Sequence, residues 1–418
     1  MSRIPPNALI TPLSSPPPSL LIVADDLSGA ADSAVALAGR ADTVVLLDPE
    51  AEWPRARVVA IDIDSRHAGP DIAAGRAAAA IRRSAPQTLI YKKMDSTLRG
   101  NVGPEIGGCL SALHEREGAR HLAVVAPAFP ATGRTVVDGQ VLIAGEPVQE
   151  RHPGRRPLVE QLEAAGLRVA LLSLAELRDG DPAGTLAAAV GTVDAVVVDA
   201  VTDDDLALTV RASANLPVLL VGSGGMAHRL DPLRTDADAA STPAAPAAMT
   251  NLSVPGPALV CIGSRSEQAH AQRHALMEEL PAVPVEVSTA PGDAARAMRE
   301  VRSTLAAGYD AVVFPDPALA VRPECAQQFV AALAEVARAG LDTAGALVAT
   351  GGETARAVLL AIGVHTLEVE GEVEPGVVRL RTPGGLTVIT KAGAFGDPGT
   401  LLRVTRMLRG RAAATATS

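Results

Sequence analysis

Short apolar runs alternate with alanine-rich helical patterns over most of this 418-residue chain. Such alternation is typical of parallel strands that are joined by crossover helices. Hydrophobic residues make up 48% of the chain and aromatic residues only 2%, so the core has to be built from Ala, Val, Leu and Ile. That mixture suits buried parallel strands covered by helices of small residues. The sequence therefore predicts an α/β fold with mainly parallel sheets.

The predicted elements form two series. The first series has strands at 20–24, 43–47, 58–62, 88–91, 122–126, 195–198 and 218–221, helices such as 72–83 and 204–212, and a hairpin at 135–148. The second has strands at 258–262, 311–314, 346–349 and 386–390, and helices at 267–279, 294–306, 326–339, 354–362 and 399–408. We expect two α/β domains, 20–230 and 257–418, with an active-site cleft between them. Residues 1–19 read as a disordered leader, and the Ala, Thr, Asp and Pro-rich stretch 231–256 as a linker.

Composition excludes several classes of function. The net charge is −10 and no basic stripe with interleaved aromatic residues occurs, which argues against nucleic acid as a partner. No apolar run approaches the roughly 20 residues that span a bilayer. Three widely spaced cysteines, Cys109, Cys261 and Cys325, form no C-x-x-C pair, so neither a disulfide framework nor a zinc site is expected. We predict a cytoplasmic protein; a homo-oligomer is compatible with the sequence.

The segment 91–101 concentrates unlike functional groups directly after an apolar run. It contains two lysines, an aspartate, two hydroxyls and an arginine, of which the candidate substrate contacts are Lys93, Asp95, Ser96, Thr97 and Arg99. The cations can hold an anionic ligand, and the carboxylate can accept a proton or hold a metal. Open α/β sheets bind ligands just past the carboxyl ends of their strands. The alternative is a solvated turn that opens an amphipathic helix.

Two further strand ends carry charges. Asp25 and Asp26 follow the first strand, and Asp26 is the candidate catalytic base with Asp25 close behind; the alternative is a pair of helix-capping residues. Arg66 follows the third strand and could clamp a carboxylate or phosphate in bidentate fashion, or form an ordinary ion pair with Asp64 or a neighbouring carboxylate. If the sheet is parallel, these ends converge with the 91–101 segment. The combined set suits a small, polyhydroxylated anion.

Glycine-rich loops follow strands in the second series. They are 263–266, 350–355 and 391–398, and each precedes a helix. Glycines at such junctions let backbone N–H groups and the helix N-terminus approach phosphate oxygens. No G-x-x-x-x-G-K-[ST] sequence occurs, nor a G-x-G-x-x-G fingerprint after the first strand of either half. The three loops together suggest a nucleotide, whereas each alone could be a tight turn. A fourth loop, 222–225, ends the first half and reads as a hinge or a turn.

Taken in order, these motifs resemble one known family. The stretches that carry the resemblance are Ala-Asp-Asp-Leu-Ser-Gly-Ala at 24–30, Asp-Ser-Arg at 64–66, Lys-Lys-Met-Asp-Ser-Thr-Leu-Arg-Gly-Asn at 92–101, Pro-Ala-Phe-Pro-Ala-Thr-Gly-Arg-Thr at 127–135, Gly-Gly-Glu-Thr-Ala at 351–355 and Lys-Ala-Gly-Ala-Phe-Gly-Asp-Pro at 391–398. The chain resembles the four-carbon acid sugar kinases from residue 20 to residue 409. One departure is the segment 150–156, where family members often carry an Ala-Arg-Asp-Pro-like sequence, and it leaves the substrate open.

The resemblance implies ATP-dependent phosphorylation of a hydroxyl on threonate, erythronate or a 3-oxo-tetronate. By the match, Asp26, Arg66 and the 93–97 segment would hold the sugar acid. The residues that would hold ATP are Ser264, Gly351, Gly352, Glu353, Thr354 and Gly396.

The sequence hypothesis is therefore phosphoryl transfer between two domains. Asp26 would orient or deprotonate the attacking hydroxyl, and Asp95 stays a candidate for the same role. Arg66, Lys93 and Arg99 would fix the acid's carboxylate and offset charge on the transferring group. Mg²⁺ is expected from the chemistry, but no ligand set identifies its site. The rival hypotheses are a nucleotide-dependent oxidoreductase of small sugar acids and a non-catalytic sugar-acid sensor.

Overall fold

The computed structural model describes residues 17–230, 252–264, 266–290, 292–316, 326–393 and 395–410. Most of the predicted leader and linker lies outside these residues, as do Arg265 and Cys325. No helix within the described part is long and apolar enough to cross a membrane.

The first half of the chain contains eleven described strands and nine described α-helices. The strands are β1 (Leu20–Ala24), β2 (Thr43–Leu46), β3 (Val58–Asp62), β4 (Leu89–Lys93), β5 (Leu122–Ala126), β6 (Arg134–Val137), β7 (Gln140–Ile143), β8 (Glu146–Pro147), β9 (Val169–Leu172), β10 (Ala195–Val198) and β11 (Val218–Gly222). The helices are α1 (Leu27–Ala34), α2 (Pro70–Arg82), α3 (Val102–Glu117), α4 (Val148–Arg151), α5 (Leu158–Ala164), α6 (Leu174–Asp179), α7 (Pro182–Ala189), α8 (Asp203–Ala212) and α9 (Gly224–Ala227).

The second half repeats the alternation and adds an antiparallel hairpin. Its described strands are β12 (Ala258–Ile262), β13 (Val283–Val287), β14 (Ala311–Pro315), β15 (Ala346–Thr350), β16 (Thr366–Glu374), β17 (Val377–Arg381) and β18 (Thr387–Lys391). Its described helices are α10 (Glu267–Glu279), α11 (Asp293–Ala306), α12 (Ala326–Arg338), α13 (Gly352–Ala361) and α14 (Thr400–Leu408).

One 15-stranded sheet runs through both halves of the described chain. Its strand order is β13-β14-β12-β15-β18-β17-β16-β2-β3-β1-β4-β11-β5-β10-β9. The strands of the first half pair in parallel, whereas β16 pairs antiparallel with β2, its neighbour from the other half. A separate three-stranded sheet, β6-β7-β8, stands beside it. The β2–β16 pairing therefore fixes the two halves against each other.

Helix α1 lies at the meeting point of the two halves. All eight of its residues are buried, because it packs against β1 and β3 below and against α13 from the second half. A helix that is covered on every side needs small apolar residues all round, and Leu-Ser-Gly-Ala-Ala-Asp-Ser-Ala supplies mostly that. Its three polar side chains are consequently buried with it, next to the ends of the central strands.

The predicted fold class is confirmed, and most predicted elements are present within one or two residues of their expected bounds. The predicted hairpin is present as β6 and β7. Four strands were missed: β9, β13, β16 and β17. Two of these, β9 and β13, are the edge strands of the sheet, and an edge position tolerates the proline that β13 carries at Pro284. The exact domain bounds stay a prediction.

Candidate active site

The carboxyl ends of β3, β1 and β4 lie side by side. These strands are parallel neighbours, with Ala24 of β1 paired to both Asp62 and Lys93. The chain leaves all three strands at the same edge of the sheet, so the residues that follow the strands meet there. The predicted convergence of the three polar segments is observed.

Arg66 is the centre of this cluster. Its Nε lies 2.7 Å from Asp25 Oδ2, its Nη1 donates to Asp26 Oδ2, and its Nη2 lies 3.4 Å from Asp95 Oδ2. The side chain is 9% exposed. The alternative of an ordinary ion pair forms with neighbouring carboxylates, Asp25 and Asp26, and not with Asp64, which faces other arginines. A guanidinium shared by three carboxylates holds all three strand ends in one arrangement.

Asp26 begins α1 and faces the space between the halves. Its Oδ1 accepts a hydrogen bond from Gly29 N at 2.8 Å, which satisfies one free N–H of the first helical turn. A Cβ added at Gly29 would come 2.9 Å from Asp26 Oδ1 and 3.0 Å from Lys93 Nζ. Glycine is thus required here, and the Lys93 ammonium lies next to the Asp26 carboxylate.

Asp95 is held more tightly than Asp26. Its Oδ1 accepts from Thr97 N at 2.9 Å and from the Thr97 hydroxyl, and its Oδ2 accepts from Arg99 Nε at 3.0 Å. Burial favours the neutral carboxyl, but the guanidiniums of Arg99 and Arg66 outweigh it and hold the pKa of Asp95 well below its usual range. A carboxylate of such low pKa is a weak base. Thr97 is engaged with Asp95, whereas Ser96 lines the cavity.

Asp25 lies deeper than Asp26. Burial opposes its ionisation, yet Arg66, Lys92 and Lys93 together lower the pKa of Asp25 below the ordinary value. It is not among the described residues that line the cavity. Beneath it, Lys92 forms a buried ion pair with Glu105 at 2.7 Å. Of the three predicted base candidates, Asp26 lines the cavity and, among the described residues, forms an ion pair with Arg66 alone, whereas Asp95 pairs with both Arg66 and Arg99.

A cavity lies in front of the cluster, between the two halves. The first half contributes Asp26, Lys93, Asp95, Ser96 and the arginines 66 and 99, and the second half contributes Gly376, Ala392 and Phe395. Ser223 and Gly224, from the loop that was predicted to be a hinge or a turn, also line it. That loop therefore belongs to the site.

Sequence reasoning missed Asp32, which lines the same cavity from α1. Its side chain is buried, its Oδ1 has no hydrogen-bond partner in the described structure, and burial raises its pKa to about 6 against the opposing charge of Lys93. A signal existed in the sequence. Ser28 and Asp32 are four residues apart on a mostly apolar helix, which places both polar groups on one face.

The glycine loops of the second half also converge. β12, β15 and β18 are neighbours in the sheet, with Ile262 paired to Thr350 and Thr350 paired to Lys391. Ser264 Oγ lies 3.1 Å from Ser266 Oγ, which donates to Gly393 O at 2.9 Å. The three predicted nucleotide segments thus meet at one edge, as the three sugar segments do in the first half.

Helix α13 connects the two clusters. A Cβ added at its first residue, Gly352, would come 2.6 Å from Asp26 Oδ2. The next residue, Glu353, pairs with His67 of the first half, and Arg356 Nη1 lies 3.0 Å from Asp62 Oδ2. The side chain of Glu353 therefore faces the sugar half rather than the glycine loops. Thr354 is buried beside Gly263.

Lys391 organises the last glycine loop. Its buried ammonium donates to Ala392 O and Phe395 O, both at 2.9 Å. Burial lowers the pKa of Lys391 to about 8, although Glu374 opposes the shift. Gly396 has a φ of 79°, which favours glycine, and its carbonyl accepts from Gln268 Nε2 at 2.6 Å. The loop is held in a fixed shape by its own lysine.

The described residues contain no group of three or more His, Cys, Asp or Glu side chains that could hold a metal ion. The carboxylates of Asp26 and Asp95 are already bound to guanidinium groups. A dedicated metal cage is therefore absent from this part of the chain.

Comparison with known proteins covers nearly the whole chain. A family model described as "Sugar-binding N-terminal domain" matches residues 20–230, and one described as "Nucleotide-binding C-terminal domain" matches residues 259–401. A D-threonate kinase from Cupriavidus necator is 39% identical over 413 residues, covering 92% of this chain and 96% of that protein. A 3-oxo-tetronate kinase from the same species is 29% identical over 439 residues, covering 94% and 98%.

The fold has a solved counterpart. A crystal structure from Salmonella typhimurium LT2, of a protein that carries a provisional tRNA synthase name, superposes with a TM-score of 0.73. It is 22% identical and covers 93% of this chain and 99% of that one. At that identity the likeness shows the fold alone.

Proposed function

This chain belongs to the four-carbon acid sugar kinase family, and on that premise we propose that it phosphorylates a D-threonate-like acid at its terminal hydroxyl. The chain is a sugar acid kinase and ATP is its phosphoryl donor. D-threonate is placed first because the relative of 39% identity carries that name; erythronate and 3-oxo-tetronate are the alternatives. Cytoplasmic location and homo-oligomerisation stay predictions.

The observation that carries the proposal is the contact between Gly352 and Asp26. It brings the N-terminus of α13, the helix that follows a glycine loop, against the carboxylate of the sugar cluster. N–H groups at a helix N-terminus suit phosphate oxygens. Donor and acceptor would therefore meet at a place where the two clusters touch.

The proposed roles follow from position and charge. Asp26 takes the proton of the attacking hydroxyl, because it reaches the cavity and pairs with one guanidinium where Asp95 pairs with two. Lys93, beside Asp26, and Arg66 hold the acid's carboxylate. Ser96 hydrogen-bonds a substrate hydroxyl. Backbone N–H groups at Gly352 and Gly396, with Ser264, hold the phosphates of ATP. The N–H of Gly351 instead donates to Lys391 O at 2.8 Å, so Gly351 shapes the loop.

Mg²⁺ commonly binds through one or two carboxylates together with substrate phosphates and water. The absence of a carboxylate cage among the described residues is consistent with an ion that arrives on ATP. When bound, it would offset phosphate charge. No residue is assigned to it.

An assay of ADP release with D-threonate, D-erythronate and a 3-oxo-tetronate tests the proposal. We expect turnover with at least one acid, and its loss in Asp26→Asn with ATP binding retained. The matched control is Asp204→Asn, an exposed aspartate on α8. Near-normal turnover in Asp26→Asn would remove Asp26 as the base.

The same panel tests the rivals. Nicotinamide reduction without ADP release would favour the oxidoreductase. Silence in both assays, together with thermal stabilisation by one of the acids, would favour the sensor.

A further inference from the structure

The cations around the central cavity differ in whether a carboxylate neutralises them. Arg66, Arg99 and Lys92 each form an ion pair with an acidic side chain. Lys93 and Arg134 form none among the described residues. Lys93 lies on the sugar side, next to Asp26. Arg134, the first residue of β6, likewise has no carboxylate partner among the described residues.

Arg134 is buried with few partners. The residue is 8% exposed, and its Nε is buried without a hydrogen-bond partner in the described structure. Its Nη1 makes one long contact, 3.5 Å, to Thr132 O. Burial lowers the pKa of Arg134 from its ordinary value, although Asp95 and Asp32 act against the shift. An arginine stays protonated even so, and a desolvated cation with unfilled donors is unfavourable unless a ligand fills them.

The guanidinium of Arg134 lies at the boundary between the two halves. It stacks 4.5 Å above the ring of Phe395, which belongs to the glycine loop after β18. Phe395 lines the central cavity. It also lines a second cavity, together with Arg134 and Gly396. A cation from the sugar half thus stands where the acceptor cavity meets the predicted phosphate loop.

The remaining charges of the second cavity are already satisfied. Glu374 and Asp397 both pair with Arg403, at 2.8 and 2.9 Å. Neither carboxylate therefore neutralises Arg134. The Arg134 guanidinium can instead bind an anionic group of a ligand.

We propose that Arg134 contacts the phosphoryl group as it passes from ATP to the sugar acid, which rests on the proposed kinase function. In that step the acceptor oxygen forms a bond to the γ-phosphorus, the bond to the β–γ bridging oxygen breaks, and its electron pair leaves with ADP. The hydroxyl proton goes to Asp26. The flat fork of N–H donors on Arg134 matches two phosphoryl oxygens at once. Stacking on Phe395 keeps that fork in place only when the halves are together.

The test compares Arg134→Ala and Arg134→Lys with the wild type in steady-state kinetics. We expect kcat to fall about 10³-fold or more in the alanine variant. The KM of the sugar acid should change less than about threefold, since the loss falls on the transition state. Added guanidinium salt should restore part of the activity of Arg134→Ala but not of Arg134→Lys. A purely structural role would not produce that rescue.

The control is Arg151→Ala, which removes an exposed arginine paired with Glu146 beside the same small sheet. Its kcat should stay within about twofold of wild type. The melting temperature and ADP binding show whether Arg134→Ala folds. If it does not fold, the Arg134→Lys and Phe395→Leu variants are used for the test instead. Both should lower kcat at least tenfold while binding ADP.

Two results would overturn the inference. One is a kcat within threefold of wild type in folded Arg134 variants. The other is a raised KM for the sugar acid at unchanged kcat, which would mean that Arg134 binds the carboxylate of the acid and not the phosphoryl group. Either result leaves the kinase proposal standing, whereas failure of that proposal would appear as absent ADP release in the wild type.

Discussion

Gly352, the first residue of α13, lies against the carboxylate of Asp26 at the start of α1. The two residues are far apart in the chain and belong to opposite halves. Each begins a helix that follows a central strand, so the two helix starts face each other across the cavity. Acceptor chemistry and phosphate binding meet at this contact.

Gly352→Ala should therefore impair catalysis. The added Cβ would come 2.6 Å from Asp26 Oδ2, an oxygen that Arg66 holds in place, so α13 and α1 have to separate. A displacement of that size is expected to lower kcat by roughly 10²-fold. Steady-state kinetics provide the measurement. Gly75→Ala is the control, because nothing lies within 4 Å of its added Cβ, and it should leave kcat unchanged. A kcat equal to wild type in Gly352→Ala would show that the close approach of Gly352 to Asp26 does not matter for catalysis.

The His67–Glu353 pair should contribute to stability only at low pH. Its hydrogen bond to Glu353 raises the pKa of His67, so the contribution is present below the unfolded value of 6.5 and is lost as pH rises through the folded value. Both side chains are about half exposed or more, which limits the coupling to roughly 1 kcal/mol or less.

A double-mutant cycle with His67→Gln and Glu353→Gln, followed by urea unfolding at pH 5.5 and 8.5, measures that coupling. We expect a value near zero at the higher pH. The Arg82–Glu115 pair, also exposed, serves as the reference and should couple equally at both pH values. Equal coupling energies between His67 and Glu353 at pH 5.5 and pH 8.5 would contradict a pH-dependent ion pair.

Asp32→Asn should stabilise the ligand-free protein at neutral pH. Burial raises the pKa of Asp32 from 3.8 to about 6, so between these values the folded state binds more protons than the unfolded state. Stability therefore falls as pH rises through that window, by about 3 kcal/mol for a shift of about 2 units. Asparagine removes this loss.

Urea unfolding of Asp32→Asn and wild type at pH 4.5 and 7.5 measures the effect. The advantage of the variant should be larger at pH 7.5, and Asp204→Asn should differ from wild type by less than about 0.5 kcal/mol. A variant that is less stable than wild type at pH 7.5 would show that the carboxylate is compensated by its neighbours.

Lys391→Met should weaken nucleotide binding. The ammonium holds the carbonyls of Ala392 and Phe395, and methionine cannot donate to them, so the loop loses its shape. Loss of about 1.4 kcal/mol would raise the KM of ATP tenfold. Arg338→Met, an exposed cation at the end of α12, is the control. An unchanged KM for ATP would show that Lys391 does not support nucleotide binding by this loop.

Much of the fold was predictable because its signals are local. Runs such as Leu20–Ala24 and Ala258–Ile262 are apolar along their whole length, and buried parallel strands look like that. The β16–β17 hairpin could have been found as well. In Thr366–Glu374, apolar residues alternate with Thr and Glu, which is the pattern of a half-buried strand. Its pairing with β2 could not, because that antiparallel contact joins strands from opposite halves of the chain.

By itself, the sequence determined which polar groups follow which strands. Asp26, Arg66 and Lys93 stand at strand ends by local order, so a parallel sheet brings them together. Only the tertiary structure decided which charges are neutralised. Arg66 pairs with aspartates from two other segments, Asp32 is buried without a partner for Oδ1, and Arg134 stacks on Phe395 of the other half. These partners are chosen by packing between distant segments, where burial strengthens each charge interaction and no local pattern records the choice.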